Sequence, residues 1–561
     1  MLTMSSCRVC YLLVTQLPGS GNGYSPLNDV WVTDQKGAVM TIRFPEASNI
    51  ATGQAELPEW PQWLLDRYGA RMLHPNEVVR APGAPVPRST VYRTAILLFP
   101  RGVLADGVLV PQIEQALSEI GLTIRLPNGE FPSSALHPAL AGLDDNVMAD
   151  VPIPVVIRVG AAGPAVVDAW AALQQIRARV SSPNTRFERI SLEHLLVGTN
   201  YGGVPTWSPH DVRPSSFGSP YRLMPVAFRG TGPVRQPTPP NGRRVVAAVL
   251  DTGLVRHPLF GNAAPGSGLP SGGFVREFTT SANAIAQQNK YLNGLTPTNI
   301  LLNIWEAPVY GDVLTEEIGR ATGHCCFISG LIHQGAPDAD VLVTRVMQTD
   351  NICREADLLL ALWLIVARVT AAQKPGGNIS EIVDIVSLSL GGYVESTSTK
   401  ASNLRTVIMD LTGRGVLVVA AAGNDATTRE FYPAALATEP NPWPGQRVLG
   451  VGALNPDDTT AWFSNAGPNI TIEATGACMI STFPPDVKGS HGTGRRTESG
   501  GRQTADPDKF SGAWAMGSGT SYAVAHVVAR AADLLSKDPT ITTVDAASMR
   551  TRAINVVQQL P

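Results

Sequence analysis

From residue 243 onward, short apolar runs alternate with longer helical patterns. The runs "RRVVAAVL" (243–250), "ADVLVTRVM" (339–347), "IVDIVSLSLGG" (382–392) and "GVLVVAAAG" (415–423) are largely apolar, and the last two close in glycine, where a turn is expected. Strands this apolar are buried on both faces, which predicts a mostly parallel sheet covered by helices on each side. In such sheets ligands and chemistry collect beyond the carboxyl ends of the strands. The run "LLLALWLIVA", from Leu358, is bounded by Asp357 and Arg368. It falls well short of the ~20 residues a membrane span needs and predicts a core helix.

Upstream the pattern changes. Between residues 94 and 200 the runs "TAILLF", "LVPQIEQALSEIG", "LTIRLP", "IPVVIRV", "PAVVDAWAALQQIRARV" and "RFERISLEHLL" follow one another as βαββαβ, the order of a ferredoxin-like split unit. Residues 1–93 offer short strands in "NDVWVTD" and "AVMTIRF" and a Trp-rich helix in "PEWPQWLLDRYG", whose Trp60, Trp63 and Tyr68 read as core packing. No role is legible there. A linker over 201–243, with four prolines in "FRGTGPVRQPTPPNGRR", leads into a domain over 244–561. The expected class is thus α/β for the back half, preceded by an α+β N-terminal region. Polar stretches around "SANAIAQQNKYLNG" and "DVKGSHGTGRRTESGGRQTADPDKFSG" predict mobile surface loops.

Composition trims the functional options. At 561 residues the chain is long enough for several domains. Its 43 Lys and Arg nearly cancel its 46 Asp and Glu, so no global field favours nucleic acid or an anionic membrane as partner. The six cysteines, Cys7, Cys10, Cys325, Cys326, Cys353 and Cys478, are unevenly spread and read as free thiols. Cys7 and Cys10 lack a second pair at zinc spacing and no acidic cluster has calcium-loop spacing, so neither a metal nor another cofactor is expected. The first residues, "MLTMSSCRVCYLLVTQLPGSG", make a poor secretory signal. A cytoplasmic location is the expectation, with secretion as the alternative.

Four polar residues then change the picture. Asp251 ends the first buried strand in "VVAAVLDTGL", where a carboxylate needs a donor such as an imidazole N–H. His324 opens an apolar helix in "ATGHCCFISGLI", Asn424 leaves a strand in "VLVVAAAGND", and Ser521 stands on a Gly-Thr-Ser corner before "SYAVAHVVARAADLL". Each has an ordinary structural reading alone: a turn Asp, a packed His, a turn Asn, a helix-capping Ser. Together, at strand ends and helix starts of one α/β unit, they point to acyl transfer.

With their flanking sequence these residues resemble the subtilisin-like serine proteases. "VLDTGLVRHPLF" looks like the family's Asp motif, "GHCCFISGLI" like its His motif, "SLSLGG" like its substrate-binding strand, "AAAGND" like its oxyanion motif and "GSGTSYAVAHVVA" like its Ser motif. The resemblance implies a serine endopeptidase with Ser521 as nucleophile, His324 as base and Asp251 orienting the imidazole. It implies an oxyanion held by the Asn424 amide and the Ser521 N–H. A protein or peptide substrate would lie as an extended strand against Ser389, Leu390 and Gly391, with Ala422 and Gly423 beside it. By the same likeness, residues 94–200 match a propeptide that acts as intramolecular inhibitor or folding chaperone. Its trailing segment would enter the cleft near "EHLLVGTNYGG", with self-cleavage within 200–242. A permanently attached structural domain is the alternative.

Some positions depart from the family pattern. Cys325, Cys326 and Phe327 stand where Gly-Thr-His is usual, "YAVAH" replaces Met-Ala-x-Pro-His, and Thr475 replaces a proline. The vicinal thiols read as packing of a buried helix, with a redox gate or metal site as the other readings. His526 reads as structural. Two further functions stay open: a peptide-binding pseudoprotease, and a peptide ligase or macrocyclase that passes the acyl group to an amine.

Overall fold

The structure of the protein, a computed structural model, describes residues 29–33, 39–43, 60–80, 84–125, 138–161, 163–199, 223–228, 232–239, 241–292, 301–307, 310–312, 317–396, 402–439, 448–487 and 510–560. Residues 1–52 are a unit of their own, in which strands Asp29–Thr33 and Val39–Arg43 pair antiparallel. Residues 53–561 form the second unit.

One of its two seven-stranded sheets has the spatial order Val275–Glu277, Asp340–Arg345, Val246–Asp251, Ile385–Leu388, Leu417–Ala421, Leu449–Leu454 and Ile472–Thr475. Every neighbouring pair is parallel. Alternate residues of Asp340–Arg345, Val246–Asp251, Ile385–Leu388 and Leu417–Ala421 serve two cores, as the period of a strand requires. Val246, Ala248 and Leu250 face one core with helices Glu355–Gln373 and Asn403–Gly413, whereas Ala247 and Val249 face the other with helices His324–Gly335 and Thr520–Ser536. This is the α/β layering that the apolar runs predict. The helix Glu355–Gln373 is apolar nearly all round because it is covered nearly all round: Leu358, Leu362, Ile365 and Val366 have no exposed surface. Among the described residues no helix is long and apolar enough to cross a membrane.

The other seven-stranded sheet is built mainly from earlier residues, with Ala70–Leu73, Ile352–Arg354 and Leu390–Gly391 added to a core of four strands. Strands Thr90–Pro100, Leu122–Arg125, Pro152–Val159 and Ser191–Gly198 alternate with helices Leu109–Ser118 and Ala169–Arg179. The strands lie antiparallel in the order fourth, first, third, second. One face packs Leu97, Phe99, Val155 and Ile157 against Ile113, Leu117, Leu173 and Ile176 of the two helices. The opposite face brings Leu98 and Leu196 into the core of helix Glu355–Gln373. The two sheets are therefore packed through shared apolar residues.

The strand Ser191–Gly198 changes company along its length. Its first half pairs with Thr90–Pro100. Its second half runs antiparallel between Ile352–Arg354 and Leu390–Gly391, with Val197 opposite Ile352 and Gly391, and Gly198 opposite Leu390.

Two expectations are corrected. The polar stretch after Phe278 is not a loop but the helix Thr279–Tyr291, held because Ala282, Ile285 and Asn289 recur at helical spacing and are buried. Trp63 is not in the core; it is 52% exposed, while Tyr68 on the same helix is buried. The first cysteine pair, most of the linker and most of the charged loop before Ser521 lie outside the described residues.

Candidate active site

The carboxyl end of the parallel sheet assembles the site. Asp251 is the last residue of its strand, and His324 is the first residue of the helix His324–Gly335. The helix can begin there because Gly323 adopts φ 72° and leaves no side chain between the backbone and Phe483; a methyl group on it would lie 2.6 Å from the ring. His324 Nδ1 lies 2.9 Å from both oxygens of Asp251, and the Thr252 N–H donates to Asp251 Oδ1 at 2.7 Å. Both side chains are fully buried, so this pair is shielded from screening by water.

Asn424 follows the strand Leu417–Ala421, and Ser521 sits in the first turn of Thr520–Ser536. Thr520 joins them: its N–H and hydroxyl donate to Asn424 Oδ1 at 3.0 and 2.8 Å, which turns the Asn424 NH₂ outward. Asn465 braces the same loop, donating to the Ala422 carbonyl at 2.9 Å and accepting from the Asp425 N–H at 2.9 Å.

What fills the site is the end of the inserted strand. The carbonyl oxygen of Thr199 accepts from Asn424 Nδ2 at 2.5 Å and from the Ser521 N–H at 3.1 Å. The Thr199 N–H donates to the Ser389 carbonyl at 3.0 Å. The Thr199 and Ser521 hydroxyls are 2.7 Å apart, and Ser521 also donates to the Ser389 carbonyl at 3.2 Å. Among the described residues, His324 Nε2 is buried without a hydrogen-bond partner. Of the nine residues expected in the site, Ser389, Leu390, Gly391, Asn424 and Ser521 bond or pair with residues 197–199. Asp251 and His324 form their pair alongside. Ala422 and Gly423 bond to Val451 and Asn465 and hold Asn424 from behind.

Around the pair lies a group that the motifs do not reveal. Glu306 accepts from the Gly323 N–H at 2.9 Å and from the Thr252 hydroxyl at 2.6 Å, bridging the chain next to His324 and next to Asp251. Its residue keeps some exposed surface, but removal of the carboxyl from water pushes it up to about 7, against the pull of Thr252, Gly323 and Arg345. Cys325 and Cys326 are buried and free, and burial raises both thiols, which disfavours the reactive thiolate. His526 is exposed on the outer side of its helix. Among the described residues no three His, Cys, Asp or Glu side chains are grouped to hold a metal.

The other junction between the two sheets is also charged. His194, on the inserted strand, lies between Glu355 Oε2 at 2.6 Å and Glu395 Oε2 at 2.7 Å, all three buried. Burial opposes the imidazolium, yet the two carboxylates lift it to about 10, and His194 in turn draws Glu395 down to about 2 although burial opposes this.

Known proteins show the same sequence pattern. The model of the Subtilase family matches residues 242–559. Subtilisin E of Bacillus subtilis (strain 168) is 31% identical over 168 residues, which are 29% of this chain and 34% of that protein. The extracellular basic protease of Dichelobacter nodosus is 26% identical over 315 residues, 53% of this chain and 43% of its own. The chain thus spans less than half the length of either relative. The crystal structure of a cold adapted subtilisin-like serine proteinase aligns over 55% of this chain and 81% of its own, at 19% identity and a TM-score of 0.32. With the family pattern running through most of the parallel-sheet domain, the chain belongs to the subtilase family.

Proposed function

We propose that the protein is a serine endopeptidase whose N-terminal sheet domain serves as its intramolecular inhibitor, and that it cuts its own chain between Thr199 and Asn200. The observation that carries this reading is the Thr199 carbonyl, which sits between two N–H donors beside the Ser521 hydroxyl. Two donors converging on one carbonyl oxygen are what acyl transfer needs when that oxygen becomes negative.

The reaction follows from the groups present. Ser521 Oγ, turned from Thr199 towards His324 Nε2, gives up its proton and attacks the Thr199 carbonyl carbon. Asp251 holds the Nδ1–H and stabilises the imidazolium. Asn424 Nδ2 and the Ser521 N–H take the negative oxygen, helped by the N-terminal end of the helix Thr520–Ser536. The Thr199–Asn200 C–N bond breaks as His324 returns the proton to the Asn200 nitrogen. Water, deprotonated by the same imidazole, then releases the Thr199 carboxylate from Ser521. The N-terminal fragment can stay in the cleft as a product-like strand, paired to Ile352–Arg354 and Leu390–Gly391.

Mass spectrometry of the wild-type chain beside Ser521→Ala tests this. A cut after Thr199 in the wild type alone is expected, together with fluorophosphonate labelling of Ser521. An uncut chain that still labels refutes self-cleavage only, and an uncut chain that stays unlabelled even after prolonged incubation, when the strand has had time to leave the cleft, refutes the protease. Addition of a free amine separates hydrolysis from ligation, because an amide product would assign the chain to the ligases.

A further inference from the structure

Gly198, the residue before Thr199, is held on both of its backbone groups by one residue. Its N–H donates to the Asn351 carbonyl at 3.2 Å, and its carbonyl accepts from Asn351 Nδ2 at 3.0 Å. A methyl group on its Cα would lie 2.9 Å from Met347 Cε, 3.0 Å from Met347 Sδ and closer still to Asn351 Oδ1. Carbon atoms in contact sit about 3.5–4.0 Å apart, so even an alanine does not fit without displacement.

Both neighbours are enclosed, so making room means repacking side chains that have no exposed surface. Met347 has no exposed surface, donates its N–H to the Asp251 carbonyl at 3.2 Å and bridges to Cys353. Asn351 is likewise buried, at φ 78° in a turn closed by the Gln348 N–H on the Ile352 carbonyl at 3.0 Å. Asp350 of that turn accepts from the Tyr68 hydroxyl at 2.9 Å and pairs with Arg67 at 3.3 Å. The exclusion is local, because two residues earlier Leu196 keeps a full side chain beside Gly392.

We propose that Met347 and Asn351 restrict the second residue before the cut to glycine, so that substrates are extended chains carrying glycine at that place, as the chain's own Gly-Thr-Asn does. This rests on the reading that Thr199 marks the residue before the scissile bond.

Two internally quenched peptides test it: Leu-Leu-Val-Gly-Thr-Asn-Tyr-Gly and the same sequence with alanine for its first glycine, each given to the full chain with fluorophosphonate labelling in parallel. The glycine peptide should be cleaved with kcat/KM at least about tenfold higher, the scale of one misfitting methyl group, and Met347→Ala should narrow that ratio. Equal cleavage, or a labelled Ser521 with neither peptide cut, overturns the glycine requirement and leaves the protease intact. Failure of labelling even after prolonged incubation, when the strand has had time to leave the cleft, removes the protease reading itself. A second arm needs no catalysis: in the Ser521→Ala chain, Gly198→Ala should lower Tm by a few degrees and added Met347→Ala should recover part of the loss. An unchanged Tm on Gly198→Ala would show that the space is there and the proposal wrong.

Discussion

The carbonyl oxygen of Thr199 lies 2.5 Å from Nδ2 of Asn424, and Thr520 holds the other end of the Asn424 amide. The donor is therefore aimed before any charge develops. Asn424→Ala is expected to lower the turnover number by about 10²–10³, the size seen when such a donor is removed from subtilisin, with little change in KM. Steady-state kinetics on a cleaved peptide check this. A raised KM at full turnover would make Asn424 a ground-state contact.

Thr199 has a second effect through its side chain. Its hydroxyl lies 2.7 Å from Ser521 Oγ, while His324 Nε2 has no partner among the described residues. Thr199→Val keeps the shape and removes the hydroxyl, so the serine is freer to turn to the imidazole. Self-cleavage followed by mass spectrometry should accelerate about fivefold, the worth of one neutral hydrogen bond of ~1 kcal/mol. A rate that does not rise would show that Ser389 alone holds the serine.

The contact of His194 with Glu355 and Glu395 sets a pH window. The imidazole is raised from 6.5 to about 10, so its contribution is complete below 6.5 and fades as pH climbs towards 10. Glu395 is lowered from 4.5 to about 2, so its contribution is complete above 4.5 and fades as pH falls towards 2. Docking of the N-terminal sheet should be firmest between those limits. Tm of the Ser521→Ala chain against pH measures it, and His194→Gln should remove the decline on the alkaline side.

Glu306 runs the other way. Its carboxyl is raised from 4.5 to about 7, so the folded chain holds the extra proton and stability falls as pH rises through that interval. Glu306→Gln should flatten this stretch of the Tm curve. Glu306→Ala leaves the Gly323 N–H and the Thr252 hydroxyl without their acceptor and should cost ~1–3 kcal/mol in denaturant unfolding at pH 5. A Glu306→Gln curve as steep as that of the wild type would place the titration elsewhere.

Why some of this was legible in the sequence and some was not has a physical reason. Asp251, His324, Asn424 and Ser521 stand where a strand ends or a helix starts, and small residues mark each of those corners, so short windows expose them. The bonds from Thr199 to Ser521 and Asn424 cross 322 and 225 residues; the family resemblance brings "EHLLVGTNYGG" to the cleft, but no residue type in it singles out Thr199 as the one held there. Glu306 follows Trp305 in a stretch without period, and its role depends on a glycine 17 residues away. The helix Thr279–Tyr291 did carry a signal, in Ala282, Ile285 and Asn289, but its polar average hid the spacing. Gly198 looks like any strand glycine until Met347 is packed against it.

The strand Ser191–Gly198 begins in one sheet and ends threaded between Ile352–Arg354 and Leu390–Gly391. Severing the chain at its tip would not by itself open the cleft; it would convert a tethered occupant into a bound fragment present in one-to-one ratio with the enzyme. Before such a cut, escape of the strand would be undone at the high effective concentration of a tether; afterwards recapture would depend on how much fragment is in solution. Dilution, or destruction of the freed fragment by a neighbouring enzyme molecule, would then act as the switch, and the onset of activity would lag behind the cut by the residence time of that fragment.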